Sequence, residues 1–176
     1  MLTFRVDKRT FNVGDIITPQ TNFEHCLKGG GLEVEKLIDK CRPSQIPERN
    51  KCLFLFTELF GALRFWSKYG GIIYGVLAGN IFHRGDMNKL DNILDLYRYI
   101  GDDDKEGIVI AAANEYWKCG THTFQPCYEL LVDKAEVRKV ICTDSELEKF
   151  KEEFLETNSI ERTALYKKLL MYTDYK

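Results

Sequence analysis

Three positions in this 176-residue chain combine a reactive side chain with a segment that would hold it still. Glu129 stands in Tyr128-Glu129-Leu130-Leu131-Val132, a carboxylate flanked by apolar residues on a late strand. Arg5 alternates with Phe4 and Val6 on an early strand. Thr57 closes the apolar run Cys52-Leu53-Phe54-Leu55-Phe56, where a strand passes into a helix. A fixed carboxylate can stabilise positive charge developing beside it. Arginine offers a charged donor fork to anions, and a threonine hydroxyl both donates and accepts. Each residue also has an ordinary reading: an outward strand glutamate, an edge-strand arginine and a helix N-cap threonine.

Other reactive residue types form weaker patterns. Cys119, His122 and Cys127 are zinc-ligand types, but a fourth ligand is not evident, so no metal is expected. The same residues lack an orienting partner for cysteine–histidine nucleophilic catalysis. Asp102-Asp103-Asp104 lacks the glycine and glutamate of a calcium loop and reads as a solvated turn. Gly29-Gly30-Gly31 lacks the spacing of a phosphate loop and reads as a hinge or turn.

The elements that would position these groups follow from periodicity. Residues 3–7 alternate as a strand with one wet or functional face, and Ile16-Ile17-Thr18-Pro19 is a short extended piece closed by proline. Val34, Leu37, Ile38 and Cys41 recur at helical spacing until Pro43 and Pro47 stop the helix. The run 52–56 predicts a strand buried on both faces, with Thr57 as N-cap of a helix carrying Leu59, Ala62, Leu63 and Trp66. Ile72–Leu77 predicts another strand between Gly70-Gly71 and Gly79-Asn80.

Met87, Leu90, Leu94 and Tyr97 fit a helix ended by Gly101, and Ile108, Ala112 and Tyr116 fit one that stops near Gly120. Tyr128–Val132 and Val137–Cys142 are expected to pair around Asp133-Lys134. Two amphipathic helices finish the chain, Ser145–Glu156 with Ser145 as cap, and one from Ser159 to about Tyr172. Their stripes (Leu147, Phe150, Phe154, Leu165, Leu169 and Met171) are candidates for docking an antitoxin or another subunit.

The bulk numbers bound the class. The length and a 44% hydrophobic share fit one domain, residues 1–176, with a core over 1–142 and terminal helices over 143–176. The 25 basic against 27 acidic side chains give no basic excess, which argues against a simple nucleic-acid-binding module. The amino terminus lacks the apolar core of a signal peptide, and no apolar stretch approaches a membrane span. Six scattered cysteines without a CxxC pair read as reduced thiols, so the expectation is a cytoplasmic protein.

The order of Arg5, Thr57 and Glu129 resembles the ADP-ribosyltransferase-like fold of the bacterial toxin type. Further segments resemble a poorly characterised bacterial and phage branch of it. They are Phe4-Arg5-Val6-Asp7, Pro47-Glu48-Arg49, Ala62-Leu63-Arg64-Phe65-Trp66, Ala113-Asn114-Glu115-Tyr116-Trp117-Lys118 and Tyr128-Glu129-Leu130-Leu131-Val132. The resemblance covers roughly residues 1–142 and implies an α+β fold, a split β-sheet core with peripheral helices.

It also implies NAD as co-substrate and a mono-ADP-ribosyltransferase or NAD glycohydrolase activity, as in an effector or defence toxin. Glu129 would then stabilise the oxocarbenium-like ribose formed when nicotinamide leaves. Arg5 would grip the diphosphate or the adenosine-side ribose, and Thr57 would hold neighbouring strands and orient Glu129. Arg49 would add charge near the phosphates, and Tyr74 and Trp117 would wall the nicotinamide. The ordinary readings of Arg49 and Trp117 are a surface charge and a core aromatic. Many arginine-modifying members carry an acidic or amide residue two positions before the glutamate, where this chain has Cys127. The acceptor is therefore expected to be nucleic acid, another side chain or water. The alternative from another class is a non-catalytic interaction protein that keeps the fold and binds partners through its terminal helices.

Overall fold

The computed structural model describes residues 2–20, 31–90, 102–118 and 128–173. Seven strands and five α-helices run among them in the order β1 (Thr3–Asp7), β2 (Ile16–Ile17), α1 (Gly31–Lys40), β3 (Leu53–Phe56), α2 (Leu59–Tyr69), β4 (Ile72–Ala78), β5 (Ile81–Asp86), α3 (Asp102–Trp117), β6 (Tyr128–Val132), β7 (Ala135–Cys142), α4 (Leu147–Thr157) and α5 (Ala164–Thr173). The fold is α+β, and the strand pairings are antiparallel. The chain forms two compact units: residues 1–17, 55–79 and 135–176 make the first, and 18–54 and 80–134 the second.

In the first unit the strands run β2-β7-β4-β1, and β1 meets the carboxy-terminal end of β3 through Phe4 and Phe56. With neighbours on both sides, β1 is an interior strand. Thr3, Phe4, Val6 and Asp7 are all buried, so the expected wet face is closed. Helix α2 packs on β1 and β4 with Leu59, Ala62, Leu63 and Trp66, the stripe its spacing predicts. Its first residue is Leu59, with Glu58 extended before it, so the N-cap falls on Glu58 rather than Thr57, and the Glu58 side chain makes no cap hydrogen bond. The helix ends where Gly70, at φ 68°, returns its N–H to Trp66 O at 2.8 Å. A Cβ on Gly71, at φ 103°, would lie 2.8 Å from Asp7 O, so β1 can lie beside this turn only because a glycine is there.

The terminal helices belong to this unit. Leu147, Phe150 and Leu169 are buried, with the Phe150 ring 5.5 Å from that of Trp66. Ser145 is not the cap; it lies inside a 3-10 turn, Asp144–Glu146, where Glu146 Oε2 accepts the Thr143 N–H at 3.2 Å.

The second unit packs α1 against α3 and covers strands β5 and β6. Its core is Val34, Ile38, Ile46, Cys52, Val109, Ala113, Tyr116, Trp117 and Leu131. The buried face of α3 is Val109, Ala113, Tyr116 and Trp117, one residue on from the expected Ile108 and Ala112; Ile108 is exposed. Asp102-Asp103-Asp104 is the first turn of α3 rather than a loop.

Two strand expectations are corrected. Tyr128–Val132 pairs with β5, while β7 pairs with β4 and β2, so Asp133-Lys134 is no hairpin turn. Strand β5 had no hydrophobic signature because its buried positions include His83, Gly85 and Asp86. Asn80 and Asp133 close this end of the β5–β6 pair, Asn80 N donating to Asp133 Oδ1 at 2.8 Å. Gly29, Gly30, Leu94, Tyr97, Cys119, His122 and Cys127 lie outside the described residues. No described helix is long and apolar enough to cross a membrane.

Candidate functional site

Glu129 is the centre of a buried polar cluster in the second unit. All five residues of β6 are buried, and Glu129 itself is 5% exposed. A carboxylate so placed needs donors. Two converge on Oε1, the Tyr116 hydroxyl at 2.7 Å and Arg49 Nη1 at 2.8 Å. Arg49 Nη1 also donates to Tyr116 Oη at 2.6 Å, so the three groups form a closed triangle. No donor from a described residue reaches Oε2.

Arg49 opens a 3-10 turn, Arg49–Lys51, directly after the proline-stopped segment that follows α1. Its Nε donates to Glu35 Oε2 at 2.8 Å and its Nη2 to Glu35 Oε1 at 3.3 Å, the two-point contact that suits a planar guanidinium. Its backbone N–H goes to Asp39 Oδ1 at 3.0 Å, and the guanidinium lies over the Phe54 and Tyr116 rings at 4.8 and 5.0 Å. Glu35 and Asp39 come from one face of α1, four residues apart.

Burial works against the Arg49 charge, but Glu129 and Glu35 outweigh it and hold the guanidinium well above its ordinary pKa. Burial and then the nearby Glu129 keep the Tyr116 phenol protonated far above its usual range, against the opposing pull of Arg49. Tyr116 is therefore a donor to Glu129. Burial likewise raises the Asp39 carboxyl and pushes the Cys52 thiol up to about 11.

The Tyr116 ring is held from every side. It has no exposed surface, and it meets the Trp117 and His83 rings at 5.0 and 5.4 Å. Gly85 lies opposite Glu129 in the β5–β6 register, and a Cβ there would come 2.1 Å from Tyr116 Cε2. His83 Nε2 sits 3.2 Å from Tyr116 O, and Trp117 Nε1 donates to Ile38 O at 2.8 Å.

The expected site residues divide between the units. Glu129 and Arg49 touch directly, and Trp117 joins them through Tyr116. Trp117 is the core aromatic of its ordinary reading, whereas Arg49 is neither a surface charge nor open to a phosphate. Its donors serve Glu35, Glu129 and Tyr116.

In the first unit Arg5 lies opposite Tyr74 in the β1–β4 register. Arg5 Nη2 and Arg9 Nη2 both reach Asp7 Oδ2, at 3.0 and 2.9 Å. Burial raises the Asp7 carboxyl, but the Arg9 hydrogen bonds and the Arg5 charge prevail and hold it below its ordinary value. Tyr74 was expected as a nicotinamide wall but has no exposed surface. Its hydroxyl accepts from Phe11 N at 3.0 Å and donates to Arg9 O at 3.1 Å, so it latches the loop after β1. Thr57 sits half-buried in the bend between β3 and α2.

Sequence reasoning missed Tyr116, Glu35, His83 and Gly85 as members of the Glu129 cluster. Tyr116 was read as a helix-stripe residue and Glu35 as an outward one, because nothing local to either names its partner. No protein-family model matches the chain, and no curated protein matches it.

Proposed function

We propose that this chain is an NAD-using enzyme with an ADP-ribosyltransferase-like core, in which Glu129 is the carboxylate that faces the reacting ribose. The observation that supports this is the asymmetry of its carboxylate: Oε1 takes two donors and Oε2 none from the described residues. In the reaction the ribose C1′–nitrogen bond breaks and nicotinamide leaves with the bonding electron pair. An acceptor nucleophile or water then bonds C1′ and releases a proton. The ribose carries positive charge between those events, and an ionised carboxylate beside it lowers the barrier. The acceptor class is a protein side chain, nucleic acid or water, and the setting is that of a cytoplasmic effector or defence toxin restrained by an antitoxin.

Nicotinamide release from NAD, with and without cell lysate, tests this. Wild-type protein is expected to release it, and Glu129→Gln to lower the rate about 100-fold or more. No release by the wild type, or equal release by both, sinks the reading.

The burial of Glu129 against a buried Arg49 also favours a second reading, a non-catalytic interaction protein in which this cluster only shapes the core. Leu155, exposed on α4, would then be available to a partner. On that reading Glu129→Gln changes the melting temperature, and the wild type releases no nicotinamide.

A further inference from the structure

We propose that Tyr116 and Arg49 are the positioning residues of this centre, fixing Oε1 of Glu129 so that Oε2 is the oxygen offered to the ribose. The inference rests on the reading of Glu129 given above.

A glutamate side chain turns about three bonds, and one hydrogen bond would leave its carboxylate free to swing. Donors 2.7 and 2.8 Å from the same oxygen, themselves joined at 2.6 Å, remove that freedom. Neither donor can drift. Tyr116 is locked by Gly85, His83 and Trp117, and Arg49 is tied to Glu35 at two points.

Glu35 has a second effect. One guanidinium serves two carboxylates, so its charge is not consumed by Glu129 alone. Arg49, Glu35 and Glu129 together retain a net negative charge, which a cationic ribose would meet. Arg49 thus acts on the carboxylate and not on the dinucleotide phosphates.

The experiment compares nicotinamide release by wild type, Tyr116→Phe and Glu35→Gln over a range of NAD concentrations, with a thermal melt for each. Tyr116→Phe keeps the buried ring and removes only the hydroxyl. It is expected to lower kcat about 10- to 100-fold with KM for NAD unchanged. Glu35→Gln, at a position whose side chain is 20% exposed, gives the Arg49 charge to Glu129 alone and is expected to lower kcat in the same way. A folded Tyr116→Phe with wild-type kcat, or an effect confined to KM, overturns the inference. Should Tyr116→Phe fail to fold, Glu35→Gln decides by the same criteria. Wild type that releases no nicotinamide overturns this inference together with the proposed function. An active wild type with unaffected variants overturns the positioning role alone.

Discussion

Arg49 brings one positive charge to two carboxylates, Glu129 buried with it and Glu35 partly exposed, where water screens the mismatch only weakly. Such a buried arrangement is held by geometry more than by net energy, because desolvating the ions offsets much of their attraction. Removing one member leaves the others uncompensated, so the cluster is far more sensitive to deletion than to hydration. His83 adds a titration to the same neighbourhood. Burial lowers its pKa and Arg49 lowers it further, while the Tyr116 carbonyl and Glu129 pull the other way without prevailing. The unfolded chain therefore takes up this proton first. Stability from His83 is present above its unfolded pKa of about 6.5 and is lost as pH falls towards the folded value. Urea unfolding of wild type from pH 8 to 5 should show that decline, by at most about 1.4 kcal/mol per pH unit for one proton. His83→Phe keeps a ring beside Trp117 and removes the titrating group, which flattens the slope, while the lost contact with the Tyr116 carbonyl adds a pH-independent cost. An unchanged slope in His83→Phe would show that other groups carry the pH dependence.

Elements were legible where apolar residues mark the buried side, and illegible where they do not. The α2 stripe and the β3 run read directly, because Leu59, Leu63, Trp66, Leu53 and Leu55 are apolar and buried. Glu129 was legible as an odd charge among apolar neighbours on β6. Its partners were not. Arg49 comes from a turn after two prolines, Glu35 from the polar side of α1, and Tyr116 from a helix whose stripe was read one residue early.

Strand β5 was missed because it places a histidine, a glycine and an aspartate inward. Gly85 matters there for its missing side chain: α3 can lay the Tyr116 ring across β5 only because no Cβ opposes it. Gly85→Ala is expected to push the ring off its seat and cost about 1–3 kcal/mol of unfolding free energy, as overpacking does. The Tyr116–Glu129 hydrogen bond would lengthen with it, so nicotinamide release should fall as well. A variant as stable as wild type in urea would mean that α3 shifts at no cost.

At the scale of the molecule, the two units are interleaved in sequence. The chain passes between them after residues 17, 54, 79 and 134, and β3 contributes Leu53 and Phe54 to one and Leu55 and Phe56 to the other. Neither unit is a continuous stretch, so neither can form until distant segments have met, and closing those loops carries an entropic cost that is shared. If the second unit opened alone, residues 55–79 and the start of β7 would stay bonded to unfolded chain at each unit boundary they have. The expectation is one cooperative transition rather than two. Leu63→Ala in the first unit and Leu131→Ala in the second each delete a fully buried side chain, at about 2–5 kcal/mol apiece. Both should move the same urea midpoint, whether followed by Trp66 fluorescence, by Trp117 fluorescence or by far-ultraviolet circular dichroism. Single-tryptophan variants, Trp66→Phe and Trp117→Phe, separate the two optical signals, since Trp66 lies in the first unit and Trp117 in the second. Two midpoints that respond separately to the two leucine variants would show that the units unfold independently. The Glu129 cluster would then owe its rigidity to the second unit alone.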